Sequence, residues 1–131
     1  FGLSRARWFS KWQAGSMRIP EECRERYYQD SLKLTREDFM RMMEANMGYT
    51  LPGSFSASNA RTLILAGARE IRRMRASAQD MVRANRNCIG YLVSGTGHCI
   101  PFEEPDLLSG IIHGFLNNMH LNRNKRLVRI V

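Results

Sequence analysis

The 131-residue sequence predicts an α/β protein in which helices cover a small parallel sheet. Continuous apolar runs at 62–66 and 88–93 are typical of strands that are buried on both faces. Between and after these runs, over 71–82 and 107–119, apolar residues recur at helical spacing. A strand, a helix and a second strand in this order form a right-handed parallel unit, so we expect the two strands to be neighbours.

Composition excludes several classes of protein. Hydrophobic residues make up 44% and charged residues 24% of the chain, values typical of a globular domain rather than a disordered or collagen-like one. No apolar run approaches the roughly 20 residues that cross a bilayer, and no N-terminal signal peptide is evident, so no membrane partner is expected. Three cysteines without a CxxC pair favour a reducing compartment, which predicts a cytoplasmic protein.

The pattern divides the chain into three parts. Residues 1–60 contain two helix-start signals, a proline followed by acids at 20–22 and a near capping box at 35–38. They end in a linker that is rich in turn residues. Residues 61–120 carry both predicted strands and their helices, and residues 121–131 form a basic tail. The end of this tail, 127–131, could add a strand, but its basic flank leaves this open. The sequence therefore predicts a helical segment, an α/β core and a tail.

Residues that can carry chemistry follow both predicted strands. Glu70 comes soon after the first strand, and His98 follows the second strand in a loop of glycines. Catalytic groups of open parallel sheets sit at the carboxyl ends of the strands, so we expect these two side chains to meet. A carboxylate that binds one imidazole nitrogen leaves the other free to accept a proton, as a general base does. The alternative interpretations are a loop histidine without chemistry and an acid that only stabilises the following helix.

The residues around this pair resemble the C-terminal part of an α/β-hydrolase. The resemblance rests on three segments between Arg61 and Asn118, which read TLILAGARE, GYLVSGTGHCIPFEEPDLL and IIHGFL. It implies a partial α/β-hydrolase fold whose last two core strands carry the triad acid, Glu70, and the triad histidine, His98. It also implies that the helices of 1–60 form the cap that many members insert before the acid-bearing strand.

The resemblance implies hydrolysis of an ester or a related small acyl substrate without a cofactor, and no metal-ligand spacing is present. The family's nucleophile elbow, GxSxG, is absent from this sequence, and so is an oxyanion-hole motif such as HGGG. The chain opens on Phe1 rather than Met, and we expect the catalytic serine to lie outside it. We therefore expect the chain alone to be inactive. The expected partner is the missing N-terminal half, or a second copy joined through the open sheet.

A formal net charge of +8 permits a second interpretation, a non-catalytic basic protein that binds nucleic acid. The arginines between 69 and 86 and the basic tail would carry that function. However, most of these arginines fall on the expected solvent face of the helix that covers the sheet, where an α/β protein places its charge. The charge pattern therefore disfavours nucleic acid as a partner.

Three other features have plainer interpretations. Cys99 adjoins His98, but neighbours in an extended loop point apart, so we expect an ordinary thiol. Trp8 and Trp12 are expected to pack on the apolar side of a helix, with stacking on nucleic acid as the alternative. The methionines of 40–47 are likewise expected to pack, with an adaptable acyl pocket as the alternative.

Overall fold

The computed structural model describes residues 2 and 5–131, so Phe1, which opens the chain, lies outside the described residues. The chain divides into two compact units, residues 1–50 and residues 51–131. The first unit is helical over its described residues, and the second unit contains a sheet. This mixture of helices and a small sheet confirms the predicted α/β class.

The first unit contains α1 (Arg7–Ser16), α2 (Glu21–Lys33) and α3 (Arg36–Gly48). The predicted capping box is present at the start of α3. The Thr35 hydroxyl accepts the Asp38 N–H at 3.0 Å, and the Asp38 carboxylate accepts the Thr35 N–H at 3.1 Å. These two bonds satisfy backbone donors that the first turn of a helix leaves without partners.

The expectation that the large apolar side chains of this unit pack against a layer was wrong. Trp8 and Trp12 are 65% and 64% exposed, and the methionines of 40–47 are exposed as well. The contact between α1 and α2 buries only small side chains of α1, Ser10 and Ala14. Neither α2 nor α3 has a buried residue, so this unit provides no second layer that could cover the larger side chains.

The second unit begins with a short helix, α4 (Gly53–Ala57), and continues with two strands joined by a helix. As predicted, β1 (Thr62–Gly67) and β2 (Cys88–Val93) are parallel neighbours, and the connecting helix is α5 (Arg72–Ala84). Thr62 lies opposite Cys88, and Gly67 lies opposite Val93. The two strands therefore end at the same edge of the sheet.

The basic tail adds a third strand to the two predicted parallel strands, an outcome that the sequence left open for 127–131. β3 (Leu127–Arg129) pairs antiparallel with β2, with Leu127 opposite Val93, so the described sheet is mixed and has the order β1–β2–β3. Leu127 and Ile130 are buried, and the Ile130 N–H donates to the Gly90 carbonyl at 2.9 Å. Burial of these two side chains fixes the tail on the sheet despite its positive charge.

Helices cover both faces of the sheet. On one face α5 approaches so closely that a Cβ at Gly90 would overlap the side chain of Val82. On the other face Tyr91 and Val93 join the buried core with Ile111 of the last helix. The short helix α6 (Ile100–Glu103) and the last helix α7 (Pro105–Leu116) follow β2. None of the described helices combines the length and the apolar character that crossing a bilayer requires.

One edge of the sheet has no partner in the described structure. β1 pairs with β2 on one side only, and its residues are half-buried apart from Gly67. The sequence predicted a strand covered on both faces, so β1 is more open than its apolar composition indicates. This edge is a template for another strand.

Candidate active site

Two loops lie against each other at the carboxyl ends of β1 and β2. The Ala68 N–H donates to the Val93 carbonyl at 3.0 Å, and the Arg69 N–H donates to the Thr96 carbonyl at 2.9 Å. These bonds continue the pairing of the strands beyond the sheet. The loop after β1 and the loop after β2 therefore form one bonded layer.

Glycine and a buried threonine allow this close approach. A Cβ at Gly67 would overlap the carbonyl oxygen of Gly97 and would lie 2.6 Å from the carbonyl oxygen of Thr96. The Thr96 side chain is fully buried, and its hydroxyl donates to the Val93 carbonyl at 2.9 Å. Gly95 has a φ of +82°, a conformation that favours glycine and turns the chain back toward β1.

The layered loops bring the two predicted site residues together. Nδ1 of His98 lies 2.7 Å from Oε2 of Glu70. The other carboxylate oxygen of Glu70 accepts the Ile71 N–H at 2.9 Å. The Glu70 side chain is only 11% exposed, whereas the His98 side chain is 60% exposed. The acid is therefore enclosed, and the imidazole is open to an incoming group.

The surroundings of Glu70 favour its ionised form. Burial alone raises the pKa of Glu70, but hydrogen bonds from the Ile71 amide and from His98, together with the charge of His98, hold that pKa below its ordinary value. An ionised carboxylate only accepts hydrogen bonds, so Nδ1 of His98 carries the proton. Nε2 has no hydrogen-bond partner among the described residues. A neutral ring held in this way presents Nε2 as the acceptor that a general base needs.

An acid that sequence reasoning missed contacts the histidine loop. Oε1 of Glu103 accepts the Gly97 N–H at 2.9 Å. Glu103 belongs to the hydrolase-like segment of the sequence, but no pattern in that segment predicts a role for it. The available signal was weak: a proline, Pro101, follows the histidine and starts one helical turn that directs the next acid back toward the loop.

A second contact that was not predicted holds the start of the same loop. The Arg126 guanidinium donates to the Ser94 carbonyl at 3.0 Å and to Oε1 of Glu104 at 2.8 Å. Arg126 belongs to the basic tail, for which the sequence predicted no contact with the site. The histidine loop is therefore held at both ends by side chains from outside it.

A groove of about 220 Å³ opens beside the pair. Glu70 and His98 contribute to its wall, and the rest is mostly apolar, with Met74 and Met81 from α5. Consecutive residues of β1, from Ile64 to Gly67, also line it, which places the groove along the open edge of the sheet. An apolar group, such as an acyl chain or the side chains of another structural element, would bind in this groove next to the imidazole.

Other candidate groups near the pair have weaker chemistry. Burial raises the pKa of the Cys99 thiol, and the charges of Glu103 and Glu70 raise it further. Cys99 is therefore a neutral thiol rather than a thiolate nucleophile. No serine of the described residues is hydrogen-bonded to His98. The described part of the chain also contains no cluster of three or more metal-ligating side chains.

No protein-family model, no curated protein and no solved structure matches this chain. The fold and the site define an α/β protein that carries an acid–histidine pair at the ends of two parallel strands.

Proposed function

We propose that this chain carries the acid and the histidine of a Ser-His-acid triad in an α/β-hydrolase that cleaves esters or related acyl substrates. The observation that carries the proposal is the 2.7 Å contact between Nδ1 of His98 and Oε2 of Glu70. Both residues follow adjacent parallel strands, where open sheets of this class place their catalytic groups. An enclosed, ionised acid behind an exposed imidazole supports the roles of orienting group and general base.

The proposed reaction uses the two residues in distinct roles. As a serine oxygen attacks the acyl carbon, Nε2 of His98 takes the hydroxyl proton, and it returns that proton to the leaving alkoxide. A water molecule then repeats the sequence on the acyl-enzyme and releases the acid. Glu70 stays ionised throughout, holds the ring and stabilises the transient imidazolium. No step needs a cofactor.

We propose that the serine comes from outside these 131 residues. No serine of the sequence stands in a GxSxG segment, the strand–turn–helix motif that presents the nucleophile in α/β-hydrolases. The unpaired edge of β1 offers a place where a sheet carrying that motif can join. A joining strand that brings the serine belongs to the N-terminal half of the hydrolase, because a second copy of this chain could pair with the edge but would lack the motif as well. The chain alone is then inactive as an esterase.

We propose that the cap predicted for 1–60 is formed by residues 1–50, the part of that segment that makes a compact unit of its own. No layer in the described part of this unit covers its exposed tryptophans and methionines. A cap presents such side chains to an apolar substrate, for which flexible methionines are well suited.

The test uses a protein extended by the coding segment that precedes residue 1, provided that this segment contains a GxSxG after a predicted strand. The assay measures hydrolysis of short p-nitrophenyl esters. We expect turnover, and we expect His98→Ala to reduce kcat by roughly 10⁴- to 10⁶-fold. His113→Ala is the matched control, because His113 is an exposed histidine on α7, and it should keep wild-type turnover. Normal turnover in the His98 variant would remove His98 from the mechanism.

One observation favours a second candidate function, binding of nucleic acid. Several exposed arginines on and beside α5 make no ion pair within the described part of the chain, namely Arg69, Arg72, Arg73, Arg83 and Arg86. Unpaired arginines are available to phosphates. Retention on a polyanion resin that falls steeply with salt would support this candidate, and retention that hardly changes with salt would count against it.

A further inference from the structure

Glu103 takes no part in the proposed proton transfers, yet it bonds to the backbone directly beside the base. Its Oε1 accepts the N–H of Gly97, the residue that precedes His98, at 2.9 Å. The acceptor is a carboxylate, and hydrogen bonds to ionised acceptors are roughly twice as strong as neutral ones. A side chain on α6 thus holds the peptide from which the His98 backbone begins.

The peptide that joins Thr96 to Gly97 is bonded at both ends, since its carbonyl accepts the Arg69 N–H at 2.9 Å and its N–H donates to Glu103. In the described structure, the hydrogen bonds of residues 97 and 98 are the Glu103 bond to the Gly97 amide and the His98 contact with Glu70. Gly97 has no side chain that could pack against its surroundings. Among the described residues, Glu103 is thus the side chain that fixes the N–H end of this peptide, and the backbone direction at His98 depends in part on it.

The helix that carries Glu103 is built to return its side chain to the loop. The N–H groups of Phe102 and Glu103 both donate to the Cys99 carbonyl at 2.9 Å, which closes one tight turn after the histidine. This turn places Glu103 six residues after Gly97 in sequence but within hydrogen-bond distance of it. The contact is thus part of how the chain turns after β2.

We propose that Glu103 is a positioning residue, whose carboxylate fixes the Gly97 peptide so that Nδ1 of His98 faces Glu70 and Nε2 faces outward. The value of this orientation for catalysis rests on the proposed function, but the orientation itself is a property of the 131-residue chain. Without the Glu103 oxygen, the Gly97 N–H loses its acceptor and the peptide is held by hydrogen bonding only through the Thr96 carbonyl, so the ring is paired with Glu70 for less of the time.

The test is NMR of the His98 ring in the 131-residue chain, using imidazole nitrogen shifts and the slowly exchanging low-field Nδ1 proton. The wild type shows the Nδ1–H form paired with Glu70. Glu103→Ala should reduce the ratio of paired to unpaired ring by roughly tenfold, as expected for loss of one charge-assisted hydrogen bond. Glu103→Asp, which is one methylene shorter, should show a similar loss. Glu103→Gln keeps an oxygen acceptor and should restore the signal.

The control and the outcomes separate this inference from the proposed function. Asp106→Ala removes a nearby exposed acid on α7 and should leave the signal unchanged. A wild-type ring without the paired Nδ1 proton overturns both the triad proposal and the role of Glu103. A paired ring that persists in the Ala and Asp variants overturns the role of Glu103 alone. If Glu103→Ala does not fold, the Asp and Gln variants decide, and equal signals in these two overturn the inference.

Discussion

The carbonyl oxygen of Gly97 occupies the space where a side chain at Gly67 would begin. The end of β1 and the histidine loop after β2 are therefore in backbone contact. Glu70 lies three residues beyond the first glycine, and His98 lies one residue beyond the second. The distance between acid and histidine thus depends on two residues that carry no chemistry of their own.

Gly67→Ala should destabilise the second unit and separate the two loops. The new methyl group would meet backbone carbonyl oxygens, which cannot move aside as a flexible side chain does. We expect a loss of roughly 1–3 kcal/mol, the usual range for overpacking. This loss is measured by urea denaturation followed by circular dichroism. Tryptophan fluorescence would not report on the second unit, because both tryptophans lie in the first unit.

Gly110→Ala is the matched control for this substitution. Gly110 lies in α7 with open space around it, so alanine should raise stability by up to about 1 kcal/mol. A Gly67→Ala variant as stable as the wild type would show that the loops do not depend on this contact.

Glu70→Gln in a protein that carries the nucleophile should reduce kcat by roughly 10⁴-fold while the fold is kept. The neutral amide neither fixes the ring tautomer nor stabilises the imidazolium. Ester hydrolysis and circular dichroism measure the two properties. Glu44→Gln, an exposed acid of α3, is the control and should leave turnover unchanged. Near wild-type activity of the Glu70 variant would place the triad acid elsewhere.

The stabilising effect of Glu70 should disappear in acid. Its folded pKa lies below its ordinary value, so the unfolded chain binds a proton at higher pH than the folded chain does. The effect is complete above the unfolded pKa of about 4.3 and is lost as the pH falls through the lower folded pKa. Urea midpoints of wild type and Glu70→Gln should therefore differ near neutral pH and converge in acid. A difference that is constant with pH would contradict this.

The isolated chain should associate at micromolar concentration through the unpaired edge of β1. Sedimentation velocity measures this. Ile64→Lys places a charge in that strand and should reduce association, whereas Val128→Lys, on the exposed side of β3, should leave it unchanged. A well-folded wild-type monomer would show that the sheet needs no outside strand.

The sequence predicted β1, β2 and the meeting of Glu70 with His98 because each depends on a strong local pattern. Continuous apolar runs define buried strands, and parallel strands joined by a helix must end at one edge of the sheet. The residues that directly follow the two strands must therefore lie close together. Topology, rather than any single contact, made this part of the site predictable.

The unpredicted parts depend on relationships that periodicity does not contain. The apolar residues of 127–131 suggest a strand, but the basic flank left this open, because a strand of three residues gives too short a pattern to outweigh the charge. The bond between Glu103 and Gly97 follows from one tight turn whose direction only the folded chain defines. The exposure of Trp8 and Trp12 shows that helical spacing reveals a shared face but not whether another layer covers it.

The strand β3 in the tail makes the two edges of the sheet unequal. β3 is very short, and it carries or follows the basic residues Lys125, Arg126 and Arg129. Short length and basic side chains are two features that keep an edge strand from pairing further. Only the β1 side is then open to addition. Two copies that joined through their β1 edges would use up both open edges, so assembly would stop at a pair rather than continue into a fibre.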